Sequence, residues 1–255
     1  MQGLFANHMI MNKITDMAIE LCQDIDSSFP GVSMDIVEGK GFARTIVRVE
    51  TSKGAKKIGR PKGIYCDIEI RNRENVEDII DCFSHSLGEF LRDTCVDIKK
   101  ILVIGLGNNR FVVDSLGKSV CDLLNTGERV ATFCPSVEAE TGIPSVHSIK
   151  AITSLVKPSH IVVVDSLCCH EKSRLATSLQ ISNTGIVPGS GIGRNNQSLD
   201  KEFLGVPVIA VGVPLVIYLP SFHYVIPKTI DILVPSFAHI ISQAINSSTF
   251  SQLND

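Results

Sequence analysis

Three continuous apolar runs constrain the fold of this 255-residue chain more than any other feature. They are KILVIGLG (100–107), IVVVD (161–165) and VPVIAVGVP (206–214), and a helix-like stretch at 148–159 precedes the second run. Short apolar runs that alternate with helices are typical of parallel strands whose two faces are both covered. The sequence therefore predicts an α/β fold, mainly a parallel sheet with flanking helices.

The region before these runs has a different pattern. Alternating β-branched residues between positions 31 and 50 indicate strands, and the strand-like IYCDIEI (64–70) follows a Lys/Gly-rich segment, SKGAKKIGRPKG (52–63). We interpret that segment as a loop and the whole region as a small N-terminal β-hairpin subdomain. Apolar residues at helical spacing over 79–91 then predict a helix.

Composition excludes several classes of protein. Hydrophobic residues make up 44% of the chain, which is enough for a core, and the net charge of -3 does not favour broad capture of nucleic acid or of an anionic membrane. The eight cysteines include no CxxC pair and no zinc-site spacing, so we expect reduced thiols and no metal site. The most apolar stretch, 206–219, is interrupted by Pro207 and Pro214 and is shorter than the ~20 residues of a membrane span.

Two acids follow two of the predicted strands. Asp165 comes directly after IVVV, and Asp114 lies just beyond ILVIGLG at the predicted start of a helix. Function in open parallel sheets collects at the carboxyl ends of strands, so both carboxylates are expected at one rim. Two carboxylates that share one proton can activate water and protonate a carbonyl oxygen. Each Asp also has a simpler interpretation as a helix or segment cap, and the residues alone leave both interpretations open.

Two glycine-rich loops lie near these acids. Gly105, Gly107 and Asn108 belong to GLGNN, which lacks the GxGxxG pattern of a dinucleotide loop, so we expect no cofactor. Gly189, Ser190 and Gly191 belong to PGSGIG (188–193), for which we favour a tight turn over an anion-binding nest.

Two further clusters of reactive or charged residues have simple explanations. Cys168, Cys169 and His170 are interpreted as incidental rather than metal-binding or nucleophilic, because no other Cys/His cluster completes a site. The cations between Lys53 and Lys62 are interpreted as a solvated loop.

Read together, these segments resemble the spore germination proteases, which cleave small acid-soluble spore proteins. The similarity is carried in order by TDMAIE (15–20), IGRPKGIY (58–65), VIGLGN with VVDSLG (103–117), ETGI (140–143), VVVDSL (162–167) and QISNTGIVPGSGIG with EFLGVPVIAVGVP (180–214). This chain resembles a short member of the family.

The resemblance implies a phosphorylase/hydrolase-like fold shared with hydrogenase maturation proteases. It implies that Asp114 and Asp165 are the catalytic pair and that the chain is a zymogen that cleaves itself between Asp16 and Met17. It implies cutting after an acidic residue, for which Arg174 is the candidate substrate-binding cation. It further implies a homotetramer without a cofactor, acting in the cytoplasm of the forespore or in the spore core.

We accordingly divide the chain into four segments: a candidate pro-segment (1–16), an N-terminal helix and β subdomain (17–98), an α/β catalytic core (99–247) and a tail (248–255). Two alternatives stay open. One is a maturation-type peptidase of the same fold that trims a single partner protein, and the other is a non-catalytic relative that binds spore proteins.

Overall fold

A nine-stranded mixed sheet runs through the residues described by the computed structural model, 14–22, 29–190 and 197–251. Eight strands lie side by side in the order β1-β2-β3-β7-β8-β6-β4-β5, and β9 pairs with β8. The strands are β1 (Val32–Gly39), β2 (Phe42–Val49), β3 (Gly63–Ile70), β4 (Ile101–Gly105), β5 (Val130–Phe133), β6 (His160–Cys169), β7 (Ser178–Ser182), β8 (Val208–Leu219) and β9 (His223–Val225).

Eight α-helices are found in this part of the chain. They are α1 (Ala18–Cys22), α2 (Ser52–Ile58), α3 (Val76–Arg92), α4 (Leu116–Asp122), α5 (Glu138–Thr141), α6 (Ser145–Val156), α7 (Lys201–Leu204) and α8 (Ile230–Ser251). A short 3-10 turn, Val112–Asp114, lies between β4 and α4. The predicted helix over 79–91 is confirmed within α3. None of the described helices is both long and apolar enough to cross a membrane.

The α/β class is confirmed, but the sheet is mixed rather than mainly parallel. The pairs β4–β5, β4–β6 and β6–β8 are parallel, whereas the other pairings are antiparallel. The link between β6 and β7, residues 170–177, is too short for the helical crossover that parallel strands need. Strand β7 therefore runs antiparallel to both β3 and β8 and joins the two halves of the sheet.

The predicted N-terminal hairpin is present as the antiparallel pair β1–β2, and β3 continues it into the main sheet by pairing with β7. The expectation of a plain loop over 52–63 was wrong, because α2 forms there. The side chain of Thr51 caps α2 by accepting a hydrogen bond from the amide of Gly54 (3.0 Å), and Gly59 ends the helix at φ 71°. Local capping chemistry thus folds the basic segment into a helix.

Helices cover both faces of the sheet. Helices α3, α4 and α8 bury one face, with Phe83 and Phe237 fully enclosed between them. On the other face, Ile149 of α6 packs on β4 and β6, and the segment at α1 packs nearer β3 and the end of β6. Two covered faces explain why the central strands read as continuous apolar runs.

Candidate active site

Asp165 lies inside strand β6, not after it as the sequence indicated. The strand continues to Cys169 because β8 pairs with it along its whole length, and Asp165 sits opposite Gly212 of β8. The side chain of Asp165 points to the face covered by α6 and α1, as Ile161 and Val163 do. One carboxylate oxygen accepts a hydrogen bond from the amide of Ser166 (2.8 Å), and the residue is buried.

Asp114 ends the 3-10 turn that leads into α4. Ser115, not Asp114, precedes the first residue of α4, and an Asp114 carboxylate oxygen accepts a hydrogen bond from the amide of Asn108 (2.8 Å). The loop can approach this closely because residue 107 is glycine: a Cβ atom there would lie 2.0 Å from the carbonyl oxygen of Asp114, at φ 106°. The GLGNN loop therefore positions the Asp114 carboxylate.

Gly105 at the end of β4 also helps to position this turn. A Cβ atom on Gly105 would lie 2.4 Å from the backbone of Gly117, so the pair of glycines lets α4 pack directly against β4. The hydroxyl of Ser166 donates to the carbonyl of Val113 (2.7 Å), which ties the turn to β6 next to Asp165. Asp114 and Asp165 are thereby brought to one site.

The two carboxylates share one electrostatic environment. Burial raises the pKa of Asp165 well above its usual range, and the charges of Asp114 and Asp16 raise that pKa further. Both causes favour the protonated form of the Asp165 carboxyl. Both acids line a cleft of about 390 Å³, whose other lining residues include Gly107, Phe111, Val137, Pro188, Gly189 and Val216.

The third acid of this environment, Asp16, belongs to the N-terminal segment. Its amide donates to the carbonyl of Cys168 (2.7 Å), and its carboxylate accepts hydrogen bonds from the amide of Cys168 (2.9 Å) and the hydroxyl of Ser190 (2.7 Å). The Arg60 guanidinium lies 4.0 Å from the same carboxylate. These contacts bind the Asp16 carboxylate to β6 and the 187–190 turn. The next residue, Met17, is fully buried.

Residues that the sequence did not single out hold the rest of this segment. The side-chain amide of Gln180, on β7, donates to the carbonyl of Asp16 (3.3 Å) and accepts from the amide of Ala18 (2.8 Å). The buried carboxylate of Glu20 accepts from the amides of His170 (2.8 Å) and Glu171 (2.9 Å). Gln180 and Arg60 both lie in segments that carry the family resemblance. That resemblance was the one sequence signal that could have identified them as functional candidates.

The glycine-rich segment after β7 forms the favoured tight turn in its described part. The amide of Ser190 donates to the carbonyl of Val187 (3.1 Å), and Gly189 has a φ of 76° at the position where a type II turn needs glycine. Pro188 and Gly189 line the cleft, and Ser190 contacts Asp16. Gly191 lies outside the described residues.

Arg174, the candidate substrate-binding cation, is placed elsewhere. Its guanidinium donates to the carboxylate of Asp67 on β3 (2.7 Å) and lies 4.0 Å from Glu69, and the Arg174 side chain is 11% exposed. Burial raises the pKa of Asp67 to about 7, and the charge of Arg174 opposes that rise. Arg174 is not among the described residues that line the cleft. Its observed contacts are those of a structural ion pair.

Most of the cysteines are packed in the interior: five are buried, two are half-buried and Cys95 is exposed. All eight are free, and burial raises the pKa of Cys168, the one nearest the cleft, to about 12. A thiol of such high pKa is neutral and a poor nucleophile at neutral pH. Over the ranges that the structure describes, no group of three or more His, Cys, Asp or Glu residues is placed to hold a metal ion.

Comparison with known proteins gives a consistent result. A family model described as germination protease matches residues 6–223. The germination protease of Clostridium acetobutylicum is 32% identical over 91% of this chain and 78% of its own length. That of Caldanaerobacter subterraneus subsp. tengcongensis is 34% identical over 90% of this chain and 76% of its own, and that of Geobacillus sp. is 36% identical over 88% and 68%.

Solved structures show a more distant likeness. The [NiFe] hydrogenase maturation protease HycI from Thermococcus kodakarensis is 19% identical, with a TM-score of 0.40, and the match covers 61% of this chain and 97% of that one. A likeness at this level supports no conclusion about chemistry.

Proposed function

This chain belongs to the germination protease family, and we propose that Asp114 and Asp165 are the catalytic pair with which it hydrolyses peptide bonds. As a member of that family it is an endopeptidase of spore germination. The observation that carries the assignment of the pair is their common environment in one cleft, where the charge of Asp114 raises the pKa of the buried Asp165.

The mechanism that we propose divides the work between the two acids. The ionised Asp114 accepts a proton from a water molecule as that water attacks the carbonyl carbon of the peptide bond. The neutral Asp165 donates its proton to the carbonyl oxygen, so charge does not build up in the buried cleft. The C–N bond then breaks as the leaving nitrogen takes the proton held by Asp114, and a hydroxyl of the tetrahedral intermediate returns its proton to Asp165 as the C=O bond of the carboxylic acid forms. Water is consumed and a carboxylic acid and an amine are formed.

The substrates we propose are small acid-soluble spore proteins, cut after an acidic residue. The pocket that holds Asp16 supports this specificity, because it offers the carboxylate an amide of Cys168, the Ser190 hydroxyl and the Arg60 guanidinium. In this proposal those groups, rather than Arg174, receive the acidic side chain. The same contacts support self-cleavage between Asp16 and Met17, because the chain's own acid already lies close enough to Asp165 to raise its pKa.

Our proposals on assembly and location are supported by the family resemblance alone. We propose a homotetramer that acts in the cytoplasm of the forespore or in the spore core, made as a precursor whose residues 1–16 are removed.

The decisive experiment replaces each catalytic acid by its amide. Asp114→Asn and Asp165→Asn should each lower the rate of peptide hydrolysis about 10²–10⁴-fold, and the double variant should lose little more, because members of one catalytic unit are not additive. Asp122→Asn is the matched control, since Asp122 is an exposed acid on α4 paired with Lys118. A folded Asp114→Asn or Asp165→Asn variant with normal turnover would refute the pair, and an unaltered chain without any turnover would favour the non-catalytic alternative.

A further inference from the structure

We propose that Gln180 is a substrate clamp and a hydrogen-bond donor to the carbonyl oxygen of the bond that is cut. The inference rests on the proposed function, in particular on cleavage between Asp16 and Met17. It adds to the two aspartates a third residue, which contacts the backbone on both sides of Met17, the residue that follows the cut.

The contacts of Gln180 define this role. Its Nε2 lies 3.3 Å from the carbonyl oxygen of Asp16, and its Oε1 lies 2.8 Å from the amide nitrogen of Ala18. The amide of Ala18 can only donate and the carbonyl of Asp16 can only accept, so the two contacts independently assign the same orientation to the Gln180 side chain. One side-chain amide thus spans the peptide on either side of Met17.

This arrangement imitates one residue of a parallel strand. In a parallel ladder, one residue donates to a carbonyl and accepts from an amide of the residues that flank its neighbour on the next strand. Gln180 makes the same two bonds with its side chain. On the opposite edge of the segment, the amide of Asp16 donates to the carbonyl of Cys168 in β6. The segment is therefore held between β6 and Gln180 through its own backbone groups, which any sequence supplies.

The strand pairing places the side chains of Gln180 and Asp165 on the same face of the sheet. Gln180 is opposite Gly212 in the β7–β8 pair, and Gly212 is opposite Asp165 in the β6–β8 pair. Side chains of directly paired residues point to the same face, and two strand spacings separate the Cα atoms of Gln180 and Asp165 by about 10 Å.

Gly212 between them projects no side chain, and a Cβ atom there would lie 2.4 Å from the Leu167 side chain. The Leu167 side chain therefore fills the place above Gly212, with Asp165 at one end of the row and Gln180 at the other, and the Asp16 carbonyl oxygen lies at the Gln180 end.

The chemical consequence concerns the carbonyl oxygen. When water attacks the carbonyl carbon, electron density moves onto this oxygen, and a fixed N–H donor stabilises the transition state more than the ground state. Loss of one such donor typically lowers kcat about 10²–10³-fold. The Oε1 contact to Ala18 acts differently, because it holds the peptide without touching the reacting atoms.

Two substitutions separate these contributions, with self-cleavage of the full chain as the readout. Gln180→Met keeps the length of the side chain and removes both bonds. Gln180→Glu keeps the acceptor for Ala18 but removes the donor at neutral pH, and a carboxyl group regains a donor when it is protonated. The first-order rate of appearance of the form that begins at Met17 is measured by intact mass spectrometry from pH 4 to pH 8.

We expect Gln180→Met to slow self-cleavage about 10²-fold at every pH. Gln180→Glu should be equally slow at pH 8 and recover in acid, so its pH profile moves to lower pH. Gln243→Met, the same change at an exposed position on α8, should behave as the unaltered chain. Circular dichroism and thermal melting verify that each variant is folded.

Several results would overturn the inference. One is a folded Gln180→Met variant that cleaves itself at the normal rate, and another is a Gln180→Glu variant that is slow with an unshifted pH profile. Unfolding of both variants would show that Gln180 serves the fold instead. If the unaltered chain never cleaves itself or a peptide copy of residues 12–21, the proposed function fails and the inference fails with it. If only the Gln180 results disagree, the aspartate pair is unaffected.

Discussion

At the scale of the residue, Asp165 illustrates how an active site works against stability. A carboxyl group buried in the middle of a strand is costly to ionise, and the nearby charges of Asp114 and Asp16 add to that cost. The folded chain therefore holds a proton on Asp165 that the unfolded chain releases near pH 4. The residue that we propose as catalytic therefore makes the fold less stable as the pH rises.

This predicts that Asp165→Asn inactivates the protein and stabilises it at neutral pH. The pKa of Asp165 is raised in the folded state, so the unaltered chain loses stability as the pH rises from about 4 towards that raised value, by about 1.4 kcal/mol per pH unit. The variant does not titrate and escapes the loss. Urea unfolding at pH 4, 5.5 and 7 should show a gain that grows with pH and vanishes at pH 4.

The exposed Asp122→Asn change supplies the control and should give no such gain. An Asp165→Asn variant that is less stable than the unaltered chain at pH 7 would contradict the electrostatic explanation.

The proposed preference for cutting after an acidic residue can be tested at a single residue, Ser190. If Ser190 binds the acidic side chain before the cut, Ser190→Ala and Asp16→Asn remove the same interaction and their effects on self-cleavage should not add. A hydrogen bond to a charged group contributes about 1.5–3 kcal/mol, so Ser190→Ala should slow self-cleavage about 10-fold or more in the unaltered chain. The same change should do little in the Asp16→Asn background.

Ser198→Ala is the control, because Ser198 and Ser190 line the same small pocket beside Asp16. Additive effects of Ser190→Ala and Asp16→Asn on the measured rate constants would exclude Ser190 from acid recognition.

At the scale of the element, strand β7 depends on a buried ion pair. Arg174 lies in the short link before β7, and its partner Asp67 lies on the neighbouring strand β3. The Asp67 side chain is 3% exposed, so its charge has little access to water. The pair therefore holds the link and β3 together at the place where the antiparallel half of the sheet begins.

We accordingly predict that Arg174→Met destabilises the fold by about 1–3 kcal/mol at neutral pH, because the buried Asp67 carboxyl loses its hydrogen bond from the guanidinium. Without the guanidinium the raised pKa of Asp67, about 7, should rise further, so Asp67 keeps its proton at pH 7 in the folded variant. The loss should therefore grow from about pH 7 to about pH 9, where Asp67 is ionised in the unaltered folded chain and protonated in the folded variant. Denaturant unfolding across this pH range measures it.

The double variant Arg174→Met/Asp67→Asn tests the cause, since it should regain much of the lost stability. A stable Arg174→Met variant that loses only its preference for cutting after acids would restore the expectation that Arg174 binds substrate.

At the scale of the whole molecule, the N-terminal segment is both the proposed site of self-cleavage and a part of the fold. The Asp16 carboxylate is held by Cys168 and Ser190, whereas the residues after it pack into the protein: Met17 and Ala18 are fully buried, and Glu20 is bound by two backbone amides. A covalently attached ligand acts at high effective concentration. Cutting the Asp16–Met17 bond would release the first part and leave the second in place.

We therefore predict that the pure protein, incubated under mildly acidic conditions, converts to a form that begins at Met17 and stays folded. Mildly acidic pH favours the reaction because it keeps the proton on Asp165. Intact mass spectrometry identifies the product, and its melting temperature should change little. The Asp165→Asn chain should stay full length, whereas a stable full-length protein that already cuts spore-protein peptides would show that residues 1–16 do not inhibit it.

Much of this architecture was readable from local patterns. The strands β4, β6 and β8, the helix α3 and the type II turn at 187–190 follow from runs, spacing and turn chemistry. The segment 52–63 was wrongly predicted as a loop. We gave weight to its lysines and glycines and overlooked two local helix signals, Thr51 as the N-terminal cap and Gly59 as the C-terminal cap. Asp165 was placed after its strand because the length of β6 depends on pairing with β8, which no local pattern records.

What the sequence determined by itself was the α/β class and the position of two acids near the central strands, because apolar periodicity is a short-range pattern. Only the tertiary structure decided which groups meet. Asp16 is distant from Gln180 and Asp165 along the chain, and the β6–β8–β7 pairing sets the spacing of the residues that surround it. It likewise turned Arg174 towards Asp67, because a buried carboxylate draws the cation that can reach it. Contacts between distant residues depend on the order and pairing of the strands in the whole sheet, and local sequence patterns do not specify that order.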